Sequence, residues 1–134
     1  MSRRTDQRQA AVFALYQHDL TGRELDELFA RSASSFTRAL AYAVADYAEE
    51  LDVLIERHAK GWTVDRIAPL DKAIMRVALL EIIHPDAAPG DTPIPPEGAI
   101  SEAVELAKEF CGADTPGFVN GILAAVLRDR VAKG

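Results

Sequence analysis

The sequence predicts an all-α protein, a compact bundle of about six or seven helices. Three observations lead there. Apolar residues recur at three- and four-residue spacing in one segment after another, and no stretch of useful length alternates as a strand does. Helix-breaking residues are concentrated in a single run, HPDAAPGDTPIPPEG, with Pro85, Pro89, Pro93, Pro95 and Pro96. At 134 residues, 49% hydrophobic and 27% charged, the chain has ordinary globular composition and fits one domain.

The first helix is expected from a cap at Thr5 or Asp6 to about Leu20, where Val12, Leu15, Tyr16 and Leu20 make a stripe widened by Phe13. Arg4 and Arg8 share one face of it by their i,i+4 spacing, and Gly22 ends it. A short amphipathic segment from Glu24 to about Ala30 buries Leu25, Leu28 and Phe29, and Ser32–Ser35 breaks it. One long helix follows from Phe36 to Ala59, with Leu40, Val44, Tyr47, Leu51, Ile55 and His58 in line and Gly61 as its C-cap. Trp62 reads as a plug between helices. Thr63 caps a single turn to Ile67, and Pro69 opens a helix to Ile83 that buries Ile74, Val77, Ala78 and Ile82. After the proline-rich loop 85–96, the stretch Ala99 to Leu127 supplies two more helices. Ile100, Ala103, Val104, Ala107 and Phe110 face inward from the first; Phe118, Val119, Ile122, Leu123 and Val126 do so from the second. Thr115 is placed as N-cap with Pro116 at the first helical position.

Charge is unevenly spread. The net charge is −6, yet residues 1–8 carry +2 (Arg3, Arg4 and Arg8 against Asp6), as do residues 128–134 (Arg128, Arg130 and Lys133 against Asp129). With +4 at the ends, the body between them carries −10. Such a body is no general nucleic-acid binder, but its basic ends suit a local anion site near both termini. The one cysteine, Cys111, permits no internal disulfide and fits a reducing interior. The N-terminus has no apolar signal segment, and no apolar run approaches the roughly 20 residues of a membrane span. A soluble cytoplasmic domain is the expectation.

Catalytic chemistry is poorly provided for. Glu81 and His84 have the Glu-x-x-His spacing of a di-iron bundle, but a second pair is missing because His18 and His58 follow Leu15 and Ile55. Cys111 has no glycine-rich elbow or histidine beside it, and no phosphate-cradling glycine loop occurs. Neither an enzyme nor a metal or other cofactor is expected. Binding is better served: arginines can fork onto phosphates and aromatic rings can stack on unpaired bases. Tyr16 and Phe118, however, also fall on apolar stripes.

The run EAVELAKEF followed by DTPGFVNGIL resembles the bacterial transcription antitermination factor NusB. RQAAVFALY and GWTVDRIAPLDKAIMRVALLEI are similar to the same family's first helix and central segment, so the resemblance runs from about Arg3 to Leu127. It implies two three-helix subdomains within a single domain over residues 1–134. It also implies binding to single-stranded boxA RNA through Arg3, Arg4, Arg8, Tyr16, Asp114 and Phe118. The implied partner is NusE, a basic protein of the small ribosomal subunit, met first by Asp71 and second by Glu81. For those two acids an internal pair to Arg76 or Lys72 is the alternative. The family acts on RNA polymerase with other Nus factors, notably on ribosomal RNA operons, and its members occur as monomers or homodimers. Asp6 interrupts the basic cluster that opens the family's first helix, so weaker RNA binding alone and stronger reliance on the partner are expected. Two alternatives are a purely protein-binding helical adaptor and the NusB-like N-terminal domain of a ribosomal RNA methyltransferase. With no cofactor-binding domain after Gly134, a free-standing protein is the expectation.

Overall fold

A computed structural model describes residues 3–133, and all structural statements below concern these. The elements are α1 (Arg3–Thr21), α2 (Leu25–Leu28), α3 (Ser35–Asp46), α4 (Ala48–His58), a 3-10 turn (Val64–Arg66), α5 (Pro69–Ile83), α6 (Pro96–Phe110) and α7 (Thr115–Lys133). There is no strand among the described residues.

α5 is apolar nearly all round, as a central helix must be. It buries Ala73, Ile74, Met75, Val77, Ala78, Leu79, Leu80 and Ile82 and touches α1, α3, α4, α6 and α7. α1 packs on α2, α3 and α5, and α6 packs on α5 and α7, so α5 joins the N-terminal group of helices to the C-terminal group and one continuous core runs through both. The fully buried residues of α6 are the small Ala99, Ala103 and Ala107, with Ile100 and Leu106 packed partly buried beside them. Gly22 at φ +74 and Gly61 at φ +91 make the left-handed turns expected of them.

The expected long helix is two. Tyr47, at φ −104 and ψ 11, leaves the helical region, and its N–H is shared among the carbonyls of Ala43, Val44 and Ala45. The stripe survives the break, since Leu40, Val44, Leu51 and Ile55 are all buried. The bend serves packing: α3 lies on α1 and α5, whereas α4 lies on α5 and α7. No proline or glycine marks the site, so local sequence carries no signal for it. Trp62 is no plug either. Lys60 and Gly61 both have positive φ, which turns the chain outward, and Trp62 is 51% exposed. Leu20 and Phe110 also lie outside the core. Smaller differences fall at the termini. α1 is already helical at Arg3, the first described residue, so Thr5 and Asp6 lie within the helix and do not cap it, and α7 starts at Thr115, with the Asp114 carbonyl accepting from the Phe118 N–H at 3.2 Å.

Polar contacts fix how the helices sit. At the α3 N-terminus the Ser34 hydroxyl accepts from Thr37 N–H at 3.0 Å, and the buried Thr37 hydroxyl donates to the Gln7 carbonyl of α1 at 3.0 Å. α4 is held at both ends. His84 Nε2 lies 2.6 Å from Glu50, and His58 Nε2 lies 2.7 Å from Asp129 of α7 while His58 Nδ1 faces the Leu54 carbonyl. Midway, Arg76 makes two 2.7 Å bonds to Asp52. The hydrogen bond from His58 holds the Asp129 carboxyl below its ordinary range, helped by the charges of His58, Lys133 and Arg128. A depressed carboxylate stabilises the fold above its unfolded-state value and loses that contribution as pH falls through the folded value. Asp129→Asn is therefore expected to lower the urea midpoint slightly above the carboxylate range and to flatten the acid limb, so that variant and wild type converge as pH falls.

Candidate nucleic-acid interface

α1 and α5 run antiparallel, as two ion pairs between them show: Arg8 with Glu81, and Asp19 with Lys72 at 3.1 Å. This arrangement decides where the sequence-predicted residues fall. Arg3, Arg4 and Arg8 gather at one end of α1. Asp71, at the start of α5, lies at the other end with Asp114 and Phe118. Ten residues of helix separate Asp71 from Glu81, about 15 Å along the axis. Tyr16 stands between, about 12 Å along α1 from Arg8. The residues are therefore spread along the length of the α1–α5 pair, as a track from one end to the other, and do not converge on a single pocket.

At the basic end the three arginines have different fates. Arg3 is exposed. Arg4 is also exposed, with its guanidinium 4.0 Å from the centre of the Phe36 ring and Nη1 donating to Gln7 Oε1 at 2.7 Å. The proline-rich loop closes over this contact. Gly90, at φ +104, lies beside it: a Cβ there would sit at ordinary contact distance, 3.5 Å from the Phe36 ring and 3.8 Å from Arg4 Nη2, so it is the left-handed backbone that calls for glycine. Arg8 is turned inward. Its Nε and Nη2 each donate to Glu81 at 3.0 Å, Nη1 lies 3.6 Å from Glu102, and its side chain is 14% exposed against 4% for Glu81. Thr5 donates to the same Glu102 at 3.0 Å. Burial pushes the Glu81 carboxyl above its ordinary value; Arg8 opposes this by hydrogen bond and charge, and Glu102 adds to it. Glu81 thus pairs internally, with Arg8 instead of the Arg76 or Lys72 that helix spacing offered. Those two pair with Asp19 and Asp52.

The middle of the track is aromatic. Phe13 meets Tyr16 edge-on at 6.4 Å and Phe110 edge-on at 5.0 Å. Tyr16 is partly buried against the core, so both of its expected roles are compatible with its place. At the far end Thr115 donates to Asp71 at 3.3 Å. The Cys111 thiol is raised to about 11 by burial and by its hydrogen bond to Asp71 and that residue's charge, so it stays protonated at neutral pH and is no nucleophile. Glu81 and His84 face different helices, α1 and α4, and do not form a shared metal face. The two basic termini also engage different elements: Asp129 within the C-terminal run is held by α4, whereas the N-terminal run lies on α3, α5 and α6.

Sequence reasoning missed Phe36, Glu102 and Trp62. The first two are local only in three dimensions, since Glu102 is 97 residues from Thr5. Trp62 had a signal: it directly follows Gly61, whose C-cap role turns the chain away from the core.

The helical order and this track can be set beside known proteins. A sequence model of the NusB family matches residues 5–128. The chain belongs to the NusB family. The transcription antitermination protein NusB of Halalkalibacterium halodurans is 39% identical over 133 residues, covering 95% of this chain and 94% of that protein. NusB of Symbiobacterium thermophilum is 38% identical over 145 residues, covering 96% and 90%. Among solved structures, T. maritima NusB aligns with a TM-score of 0.81 at 26% identity, covering 96% of this chain and 92% of that one. A crystal structure of antitermination factors NusB and NusE in complex with dsRNA aligns with a TM-score of 0.79 at 26% identity, covering 96% and 99%. The NusB family is one of antitermination factors and not of enzymes. Among the described residues, no helix is long and apolar enough to cross a membrane.

Proposed function

We propose that this NusB-family chain is a cytoplasmic antitermination factor that holds single-stranded boxA RNA jointly with NusE. In this reading it acts with other Nus factors on RNA polymerase to carry transcription through terminators on ribosomal RNA operons. The observation that carries the reading is the alignment, along 96% of the chain, with a NusB solved together with NusE and RNA. That structure's RNA is double-stranded, so the single-stranded preference is this proposal's own.

The residues divide the work by position. Arg3 and Arg4 contact phosphate or base at the entry of the track, and Tyr16, Asp114 and Phe118 line its continuation. Arg8 fixes the first turns of α1 against α5 and α6, and offers less to RNA because two carboxylates already hold it. Asp71 is the proposed NusE contact, next to the RNA track. Glu81 lies beneath Arg8 and reaches a partner only through it. No bond is made or broken. Each protein contributes a modest RNA surface, and joining them raises the hold of both on the RNA. The acidic body suits a basic partner.

Fluorescence anisotropy with a boxA-like single strand, a scrambled strand and a duplex, each with and without NusE, tests the reading. Tighter, sequence-selective binding to the single strand in the presence of NusE is expected. A NusE complex with no RNA preference would favour a protein-binding adaptor. In the same assay Arg3→Ala with Arg4→Ala should weaken RNA binding and leave NusE binding intact. It should also lower the slope of log affinity against log salt by about 0.7 for each phosphate that the double variant no longer neutralises.

A further inference from the structure

We propose that the cleft between Trp62 and Phe118 is a slot for one unpaired nucleobase, with Trp62 as the ring on which that base stacks. The inference rests on the RNA-binding reading above and adds to it a residue and a ligand chemistry. The cleft has a volume of about 340 Å³ and is lined by Trp62, Arg66, Asp71, Asp114, Thr115 and Phe118 among others. Trp62 is 51% exposed, against the hydrophobic effect, because Lys60 and Gly61 turn it out of the core. Its ring meets that of Phe118 at 6.5 Å between centres and 68° between planes. Two rings so set make a corner, in which a flat heterocycle lies against Trp62 with its edge toward Phe118.

The polar groups of the cleft select its occupant. Asp114 repels a phosphate but accepts N–H donors, so a base enters with an amino or imino edge turned inward and its backbone outside, while Asp71, already bonded to Thr115, adds negative charge behind it. Guanine, with adjacent N1–H and N2–H donors, suits a carboxylate best. Arg66 at the same cleft supplies a cation for the outer phosphate. The same charge opposes a lysine or arginine side chain from a protein, the other guest that a tryptophan beside carboxylates would attract.

Trp62 is the only tryptophan of the chain, so its emission reports on this cleft alone. The full chain with NusE, titrated with a boxA-like single strand, should show emission quenched along the same isotherm as anisotropy. Trp62→Ala should weaken binding roughly 5- to 150-fold, the span of one base stack removed, and Trp62→Phe should retain most of the affinity. Far-UV circular dichroism establishes that both variants are folded. In a series of probes with one abasic nucleotide each, a single position should cost as much as Trp62→Ala and cost nothing further in that variant. RNA binding with unchanged emission and Trp62→Ala affinity within twofold of wild type would overturn the slot. So would losses that simply add at every abasic position, or an emission change completed by NusE alone, which would put a protein in the cleft. If the complex binds no boxA-like RNA in anisotropy, the RNA reading itself fails and the slot falls with it.

Discussion

Arg8→Ala is expected to destabilise the fold by about 3–5 kcal/mol at neutral pH, the cost of leaving a buried charge without its partner. Glu81 is the stranded group: its side chain is 4% exposed, and all of its strong donors come from Arg8. Glu102 stands close enough to the same guanidinium to add repulsion once the cation is gone. The pH dependence follows from Glu81. In the native protein its carboxyl lies above the ordinary value because burial outweighs Arg8, and deleting Arg8 removes both influences that hold it down. A raised carboxyl contributes stability that is complete below the unfolded-state value and is lost as pH rises through the folded one. The variant's deficit is therefore largest at neutral pH and narrows as pH falls and Glu81 takes up a proton. Urea denaturation of wild type and variant at several pH values checks this. A deficit constant with pH would mean that poorer packing around the missing arginine stem, and not the stranded carboxylate, is responsible. Glu81→Gln in the Arg8→Ala background should recover more than half of the loss at neutral pH, since the uncharged amide needs no counter-ion. For the folded fraction, RNA affinity should fall less in Arg8→Ala than in the Arg3, Arg4 double variant. That contrast separates an arginine that holds α1 in place from those that meet the ligand.

Leu79→Ala should cost a comparable amount, about 2–5 kcal/mol, for a different reason. Leu79 is fully buried on α5, the helix that both helical groups share. A cavity there is walled by several helices and cannot be closed by moving one of them. Against a typical total of about 5–15 kcal/mol, such a loss removes a large part of the stability. Leu79→Met keeps the volume and should cost less than about 1.5 kcal/mol. Leu20→Ala, on the same kind of apolar stripe but 58% exposed, should stay within about 0.5 kcal/mol of wild type. Urea midpoints for the three variants, measured at fixed pH, give the comparison directly. If Leu20→Ala proved as damaging as Leu79→Ala, α1 would have to be packed differently from the arrangement described.

Those two leucines also mark how far periodicity reaches. Both fall on apolar stripes in the sequence, and only the neighbouring helices decide that one is covered and the other is not. Helices α1, α5, α6 and α7 are legible because each repeats apolar residues over several turns and is bounded by glycine or proline. The division of residues 36–59 at Tyr47 is not, because the stripe continues through the bend and what demands the bend is the different set of helices that α3 and α4 meet. Trp62 departs from its expected place for a related reason: a large indole is usually buried, but the left-handed backbone at Lys60 and Gly61 sends this one into solvent. The candidate site is legible as a set of residue types at the two ends of the chain's recognisable motifs. Its geometry is not, since an arginine at position 8 and a glutamate at 81 give no local sign that they touch.

By itself, the sequence determined the all-helical class, the positions and inward faces of its principal helices, and the runs that mark the NusB family. These are local properties, written in side-chain spacing along 3.6-residue turns and in the residues that stop them. The tertiary structure decided which charges are internal and which meet solvent. It turned Arg8 and Glu81 into a buried pair, laid Arg4 on Phe36 under the Gly90 loop, and spread the expected site into a track from Arg3 to Phe118. The reason is that the energy of a charge depends on its desolvation and on its distance to the nearest opposite charge. In this protein both are set by residues 73 positions apart in the chain.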